Sequence, residues 1–148
     1  MNRAAVAGIW GALLVVTAVA APLPAQGTIP STRIELKENV PNPVDSTTSI
    51  PFDIFTEGCN KGRKPRVTLK VYNVLVQEVA TPVLVVGRSK ERLDDLKLTC
   101  GEYRAFWDGR TKGDKPAQPG VYYYQLVVDG QSLTRKLIMR RAPPMARE

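Results

Sequence analysis

The sequence predicts an all-β chain folded as an antiparallel β-sandwich, preceded by an apolar targeting segment. Three observations predict it. Apolar residues alternate with polar ones in short runs, the period-two signature of strands buried on one face. Turn formers recur between those runs at roughly 8–12-residue spacing, as in two-sheet sandwiches. Helical spacing occurs in one stretch alone, Ser89 to Lys97, through Leu93 and Leu96, and that stretch is too short for more than a turn or two of helix.

The chain opens with Met1-Asn2-Arg3 and then carries no charge from Ala4 to Ala21, before Pro22, Pro24 and Ala25. That is the layout of a secretory signal peptide, cleaved after Ala20 or Ala25. The same run is just long enough to remain as a membrane anchor. The expected organisation is a signal or anchor over 1–25, a linker over 26–33, the sandwich over 34–141 and a flexible tail over 142–148. The expected location is exported, periplasmic or outer surface, either soluble after cleavage or held by residues 4–21.

Ile34 to Lys37 alternates as a first strand, and Pro41 and Pro43, lacking amide donors, make 38–43 an irregular extended crossing. Ser49 to Phe55 places Ile50, Phe52 and Ile54 on one face, and Pro51 predicts a strand near a sheet edge. Val67, Leu69 and Val71 form the inward face of the next strand, Asn73-Val74 turns, and Val76 to Val86 reads as a long β-branched run interrupted by Pro82. Tyr103, Ala105 and Trp107 line a strand that ends at Asp108-Gly109. Turns at Lys112-Gly113-Asp114 and Pro119-Gly120 lead to Val121–Val128, with Tyr122, Tyr124, Leu126 and Val128 sharing a face. Asp129-Gly130 is a two-residue hairpin signal, and Gln131 to Arg140 returns through Leu133, Leu137 and Met139. About seven or eight strands result, with Trp107 and Phe52 anchoring the space between the sheets.

Composition narrows the chemistry. The 148 residues carry a net charge of +7 and include no histidine, which removes Ser-His-Asp and Cys-His arrangements and the usual base near neutral pH. The carboxylate pairs that remain, Asp94-Asp95 and Asp108 with Asp114, sit in turns where Asp serves the backbone. Arg110, Lys112 and Lys115 would repel a cation from the second pair. No enzyme activity, catalytic residue, cofactor or metal is therefore expected. The two cysteines, Cys59 and Cys100, both fall in the exported part and predict one structural disulfide.

The basic residues are scattered and, between Ser89 and Lys97, mixed with acids, so neither nucleic acid nor a small-molecule substrate is expected. The charge points to protein partners in the cell envelope, an integral membrane complex among them, and to contact with an anionic membrane surface. Tyr123, outward on the aromatic strand, and the pairs Arg135-Lys136 and Arg140-Arg141 are the candidate interface.

Three motifs resemble those of a known family. Leu36-x-x-Asn39-x-Pro41-Asn42-Pro43 leads to Thr48-x-Ile50-x-Phe52, followed by Val71-Tyr72-Asn73 and, later, by Trp107-Asp108-Gly109-Arg110. Gly120-Val121-Tyr122-Tyr123-Tyr124 completes the pattern. In this order they resemble the immunoglobulin-like domain of the flagellar hook-capping protein, which is similar to the C-terminal sorting domains of type IX secretion cargo. Val76 stands where the family pattern has glycine, and the connection from Thr81 to Thr99 is longer than the usual one. The resemblance implies an immunoglobulin-like sandwich. The expected function is a non-enzymatic accessory subunit of an envelope or membrane complex on the periplasmic side. The alternatives are an orphan hook-cap-like or type IX sorting-type domain, and a carbohydrate- or surface-binding accessory domain.

Overall fold

The computed structural model describes residues 32–56 and 62–140. The targeting segment and its cleavage, most of the linker, Cys59, Arg141 and the tail lie outside the described residues. Ten strands are present among the described residues: β1 (Thr32–Leu36), β2 (Thr48–Thr56), β3 (Arg66–Asn73), β4 (Glu78–Ala80), β5 (Val83–Val86), β6 (Ser89–Arg92), β7 (Leu96–Lys97), β8 (Gly101–Trp107), β9 (Gly120–Val128) and β10 (Gln131–Met139). The first sheet runs β1-β2-β8-β5-β6; the second runs β10-β9-β3-β4, with β7 also paired to β3. Every strand pair is antiparallel, and no helix occurs among the described residues.

Alternation decides which side chains enter the core. Ile50, Phe52, Ile54, Ala105 and Trp107 come from the first sheet. Val67, Leu69, Val71, Tyr122, Tyr124, Leu126 and Val128 meet them from the second, all buried. Tyr103 stacks on Phe52 at 5.5 Å between ring centroids, and Trp107 tilts against Tyr122 at 5.7 Å. Each such large apolar side chain stabilises the fold by about 1.5–3 kcal/mol through burial.

Residues 37–49 close one end of the sandwich. Val40 bridges to Ser49 in the first sheet and Val44 bridges to Met139 in the second. The chain therefore passes from one sheet to the other through Pro41, Asn42 and Pro43. Both the Val40–Pro41 and Asn42–Pro43 bonds are cis.

The structure corrects three sequence expectations. The run from Val76 to Val86 is two strands in different sheets, β4 in the second and β5 in the first. The chain changes sheet at Thr81-Pro82, where Pro82 has no donor to continue a ladder. Residues 89–97 contain no helix. Gly87, at φ 61°, permits a two-residue turn that returns the chain as β6, with Val86 opposite Ser89. Leu93 is then buried, its N–H donating to the Pro82 carbonyl and its carbonyl accepting from Leu69 N–H. Leu96 reaches the core separately, from β7 beside β3. The apparent helical spacing was the distance between two independent insertions. These added short strands raise the count above seven or eight.

The third correction concerns Pro51. β2 is interior, between β1 and β8. The Pro51 carbonyl accepts from Lys37 N–H at 3.0 Å, just past the end of β1. An antiparallel pair of this kind exchanges two bonds, and proline cannot supply the second. The Lys37 carbonyl accepts instead from the Tyr124 hydroxyl, at 2.9 Å across the core. A proline is accommodated inside the sheet because a tyrosine on the other sheet provides the missing donor.

Candidate interaction surfaces

The motif residues hold the chain to itself. Asn39 is buried; its amide nitrogen donates to the Pro41 carbonyl at 2.9 Å and to Thr48 Oγ1 at 3.0 Å, and its backbone N–H donates to the Tyr124 hydroxyl at 3.1 Å. Asn42 Oδ1 accepts from Ile138 N–H, and beside Pro43 the Val44 N–H donates to the Ile138 carbonyl. Burial pushes the Tyr124 phenol above its ordinary value, keeping the hydroxyl a donor.

Trp107 Nε1 donates to the Arg110 carbonyl at 2.8 Å, and Asp108 Oδ1 accepts from Arg110 N–H. Gly109 lies in the left-handed region at φ 69°, and a Cβ there would overlap the Ser46 carbonyl oxygen. Gly120 opens β9 opposite Met139, and Tyr122 donates its hydroxyl to the Gln118 carbonyl.

Tyr72 is half-buried on the outer face of the second sheet, opposite Tyr123. Asn73 locks the turn from β3 to β4: its Oδ1 accepts from Leu75 and Gln77 N–H, both at 3.0 Å. Within that turn Val76 adopts φ 60° and is 79% exposed, beside Leu75 at 73% and Val74 at 63%. The glycine of the resembled pattern is thus replaced by a β-branched residue without loss of the turn, at a cost in backbone strain.

The residues expected at an interface do not form one surface. Tyr123 and Lys136 are cross-strand neighbours on the outer face of the second sheet. Arg135 donates to the Leu36 carbonyl, and Arg140 pairs with both oxygens of Asp45 at 3.1 Å. Cys100 is half-buried against the core, while the Cys59 half of the expected disulfide falls outside the described residues.

A different surface emerges on the first sheet. An open trough of about 770 Å³ lies over the outer face of β8, β5 and β6. Ala105 and Leu84 point inward, so Phe106, Val83 and Val85 point outward and form its apolar floor. Phe106 is 41% exposed. Phe106, Val83 and Arg92 lie in one row across three strands, and Val85 with Lys90 form the next. At the end of the trough Arg110 pairs with Asp114, and Lys112 with Glu78 at 2.7 Å. Lys90 and Arg92, in contrast, make no ion pair with any described acid.

Glu78 is the hub behind the trough. It accepts from Lys112, from Lys70 at 3.2 Å and from Thr81 Oγ1 at 3.1 Å. Burial by itself would raise its carboxyl, but the hydrogen bonds from Lys112, Lys70 and Thr81 together outweigh burial and hold it below the ordinary value. Burial likewise opposes the charge on Lys70, and the carboxylates of Glu78 and Asp94 reverse that and raise it.

The sequence reading missed the trough because Ser89–Arg92 is exposed along its whole length and shows no alternation. A signal was present in Val86-Gly87-Arg88-Ser89, a two-residue turn with glycine first, which would have placed Lys90 and Arg92 on one strand face. Among the described residues no group of three or more His, Cys, Asp or Glu is placed to hold a metal ion.

Comparison with known proteins bears on the fold. No protein-family profile and no curated protein matches the sequence. Among solved structures, dimeric latent PorU from Porphyromonas gingivalis contains a region of similar shape, with a TM-score of 0.52 at 20% identity. The similarity covers 77% of this chain and 10% of that one. It supports a β-domain of shared fold.

Proposed function

We propose that this chain is an exported, non-enzymatic binding module of immunoglobulin-like fold, a small subunit of a cell-envelope assembly on the periplasmic side. The observation that carries this reading is a division of labour. Asn39 Nδ2, Asn42 Oδ1, Asp108 Oδ1 and Trp107 Nε1 each bond the chain's own backbone, whereas Lys90 and Arg92 stand unpaired beside exposed apolar side chains. A domain arranged in this way recognises a partner rather than transforming a substrate. The motif order from Asn39 to Tyr124 and the PorU-like shape support the immunoglobulin-like class. A disulfide between Cys59 and Cys100 belongs to the same proposal; closing that loop stabilises the domain by about 4 kcal/mol on a chain-entropy account.

The test is fractionation of native cells, followed by non-reducing intact mass of the protein from the membrane and soluble fractions. Recovery in stoichiometric association with one envelope assembly is expected. A free species in the soluble fraction overturns the subunit reading, and a mass two hydrogens above the disulfide form removes the bond. The motif order also favours a second reading, a hook-cap-like or type IX sorting-type domain. That reading predicts that the segment from Thr134 to Arg141 is required for export of a fused reporter.

A further inference from the structure

We infer that the free edge of β6 binds an extended acidic peptide, which adds as a further strand to the first sheet and lays its carboxylates along Lys90 and Arg92. The inference rests on the binding-module reading and specifies its surface.

The backbone phase of the ribbon fixes what that edge offers. Leu93 N–H donates to the Pro82 carbonyl, so Pro82 and Leu93 form a hydrogen-bonded position across the β5–β6 ribbon. Bonded and non-bonded positions alternate in an antiparallel pair. Given the register Val83 to Arg92, Leu84 to Glu91, Val85 to Lys90 and Val86 to Ser89, the bonded positions are Glu91 and Ser89. The N–H and C=O of Lys90 and the N–H of Arg92 therefore point away from β5, toward solvent. The Arg92 carbonyl is turned back to accept from Asp94 N–H at 2.9 Å. Among the described residues β6 is the terminal strand of its sheet, and no described strand covers those three groups.

The side chains then select the occupant. Lys90 and Arg92 lie on the trough side, in register with Val85 and Val83, and Phe106 extends the apolar floor. A strand laid beside β6 places alternate side chains over that face, opposite two unpaired cations, where carboxylates are favoured. A second copy of β6 would bring Lys90 and Arg92 against their own like charges, so self-pairing is disfavoured by the feature that admits an acidic strand. A saccharide or lipid phosphate matches the cations but not the three backbone groups. Only a peptide satisfies both.

The experiment titrates the isotope-labelled full chain with a short blocked peptide alternating valine and glutamate, read by amide chemical shifts. Saturable shifts confined to β5, β6 and Phe106 are expected. Binding weakens at least tenfold for the same peptide with lysine in place of glutamate, for a copy N-methylated on alternate amides, and for the Lys90→Glu, Arg92→Glu double variant. Retention of the wild-type spectrum away from β6 establishes that the variant is folded, and Lys90→Ser with Arg92→Ser provides a milder second variant. No binding, shifts elsewhere, or equal binding of the lysine or N-methylated peptide overturns the inference; the last means charge attraction without strand addition. The two proposals separate in cells. If the double variant still co-purifies with the envelope assembly, this surface is wrong and the subunit role stands. If the wild-type chain is free in cells yet binds the peptide, the surface stands and the subunit role falls.

Discussion

The two margins of the first sheet are built on opposite principles. At one, the crossing from Lys37 to Ser49 is tied by backbone bonds to β2 and β10 and by side chains from Asn39, Thr48 and Tyr124. At the other, the β5–β6 ribbon joins β8 through two registered pairs only, Val83 with Phe106 and Leu84 with Ala105, and every residue of β6 is exposed. The polar groups just named at the first margin are used internally, although Asn39 Oδ1 is buried without a partner among the described residues. At the second they are left open. The rigid margin positions the sheets, and the open one leaves outward backbone groups of β6 without a partner strand among the described residues.

The contrast can be broken most forcefully at Gly109, which abuts the crossing. Gly109→Ala combines a left-handed backbone with a clash against the Ser46 carbonyl and should lower unfolding stability by about 3 kcal/mol, measured by urea denaturation. Tyr124→Phe comes next. It leaves the Lys37 carbonyl and the Asn39 N–H without their cross-core partner, and the expected loss is about 2 kcal/mol. A loss below about 0.5 kcal/mol would mean that solvent replaces the hydroxyl and that the crossing is less closed than described.

Nearer the ribbon the effects shrink and become dependent on pH. The Glu78 carboxyl sits below its ordinary value of 4.5, so the folded state binds that proton more weakly than the unfolded chain does. Its contribution to stability is complete above that ordinary value and disappears as pH falls through the lowered one. The wild-type urea midpoint should therefore fall more steeply than that of Glu78→Gln as pH drops below 4.5, while at neutral pH the variant is weaker by about 1 kcal/mol. Parallel curves would assign the acid sensitivity to other carboxylates. The smallest effect has the opposite sign. Val76→Gly relieves a β-branched residue at φ 60° and should stabilise the fold by up to about 0.5 kcal/mol, after allowance for the greater freedom of glycine in the unfolded chain, read as a raised thermal midpoint.

The sequence carried the rigid half of this contrast more clearly than the open half. Ile50, Phe52 and Ile54, or Tyr122, Tyr124 and Leu126, could be assigned to the core because burial of one face imposes alternation. Asp129-Gly130 marked a hairpin because both residues take positive φ, which few other pairs do at low cost. Ser89–Arg92 gave no alternation because neither of its faces is buried, and two leucines with unrelated destinations imitated a helix. Pro51 was misplaced at an edge because its compensation comes from Tyr124, whose bond to Lys37 joins residues 87 positions apart. A local pattern cannot register a donor supplied from the opposite sheet. The candidate site was obscured for the same reason: Lys90, Arg92 and Phe106 become neighbours only once β5 is known to lie between β6 and β8.

The Asn39 amide has a consequence of its own. It donates to a phenol carried by the opposite sheet, so its hydrogen is released to solvent only when the sheets separate. Deuterium uptake at this one position consequently measures opening of the whole sandwich. The Glu91 amide, at a bonded position opposite Leu84, samples fraying of the β5–β6 ribbon alone. Two hydrogens in one molecule thus time its slowest and its fastest opening.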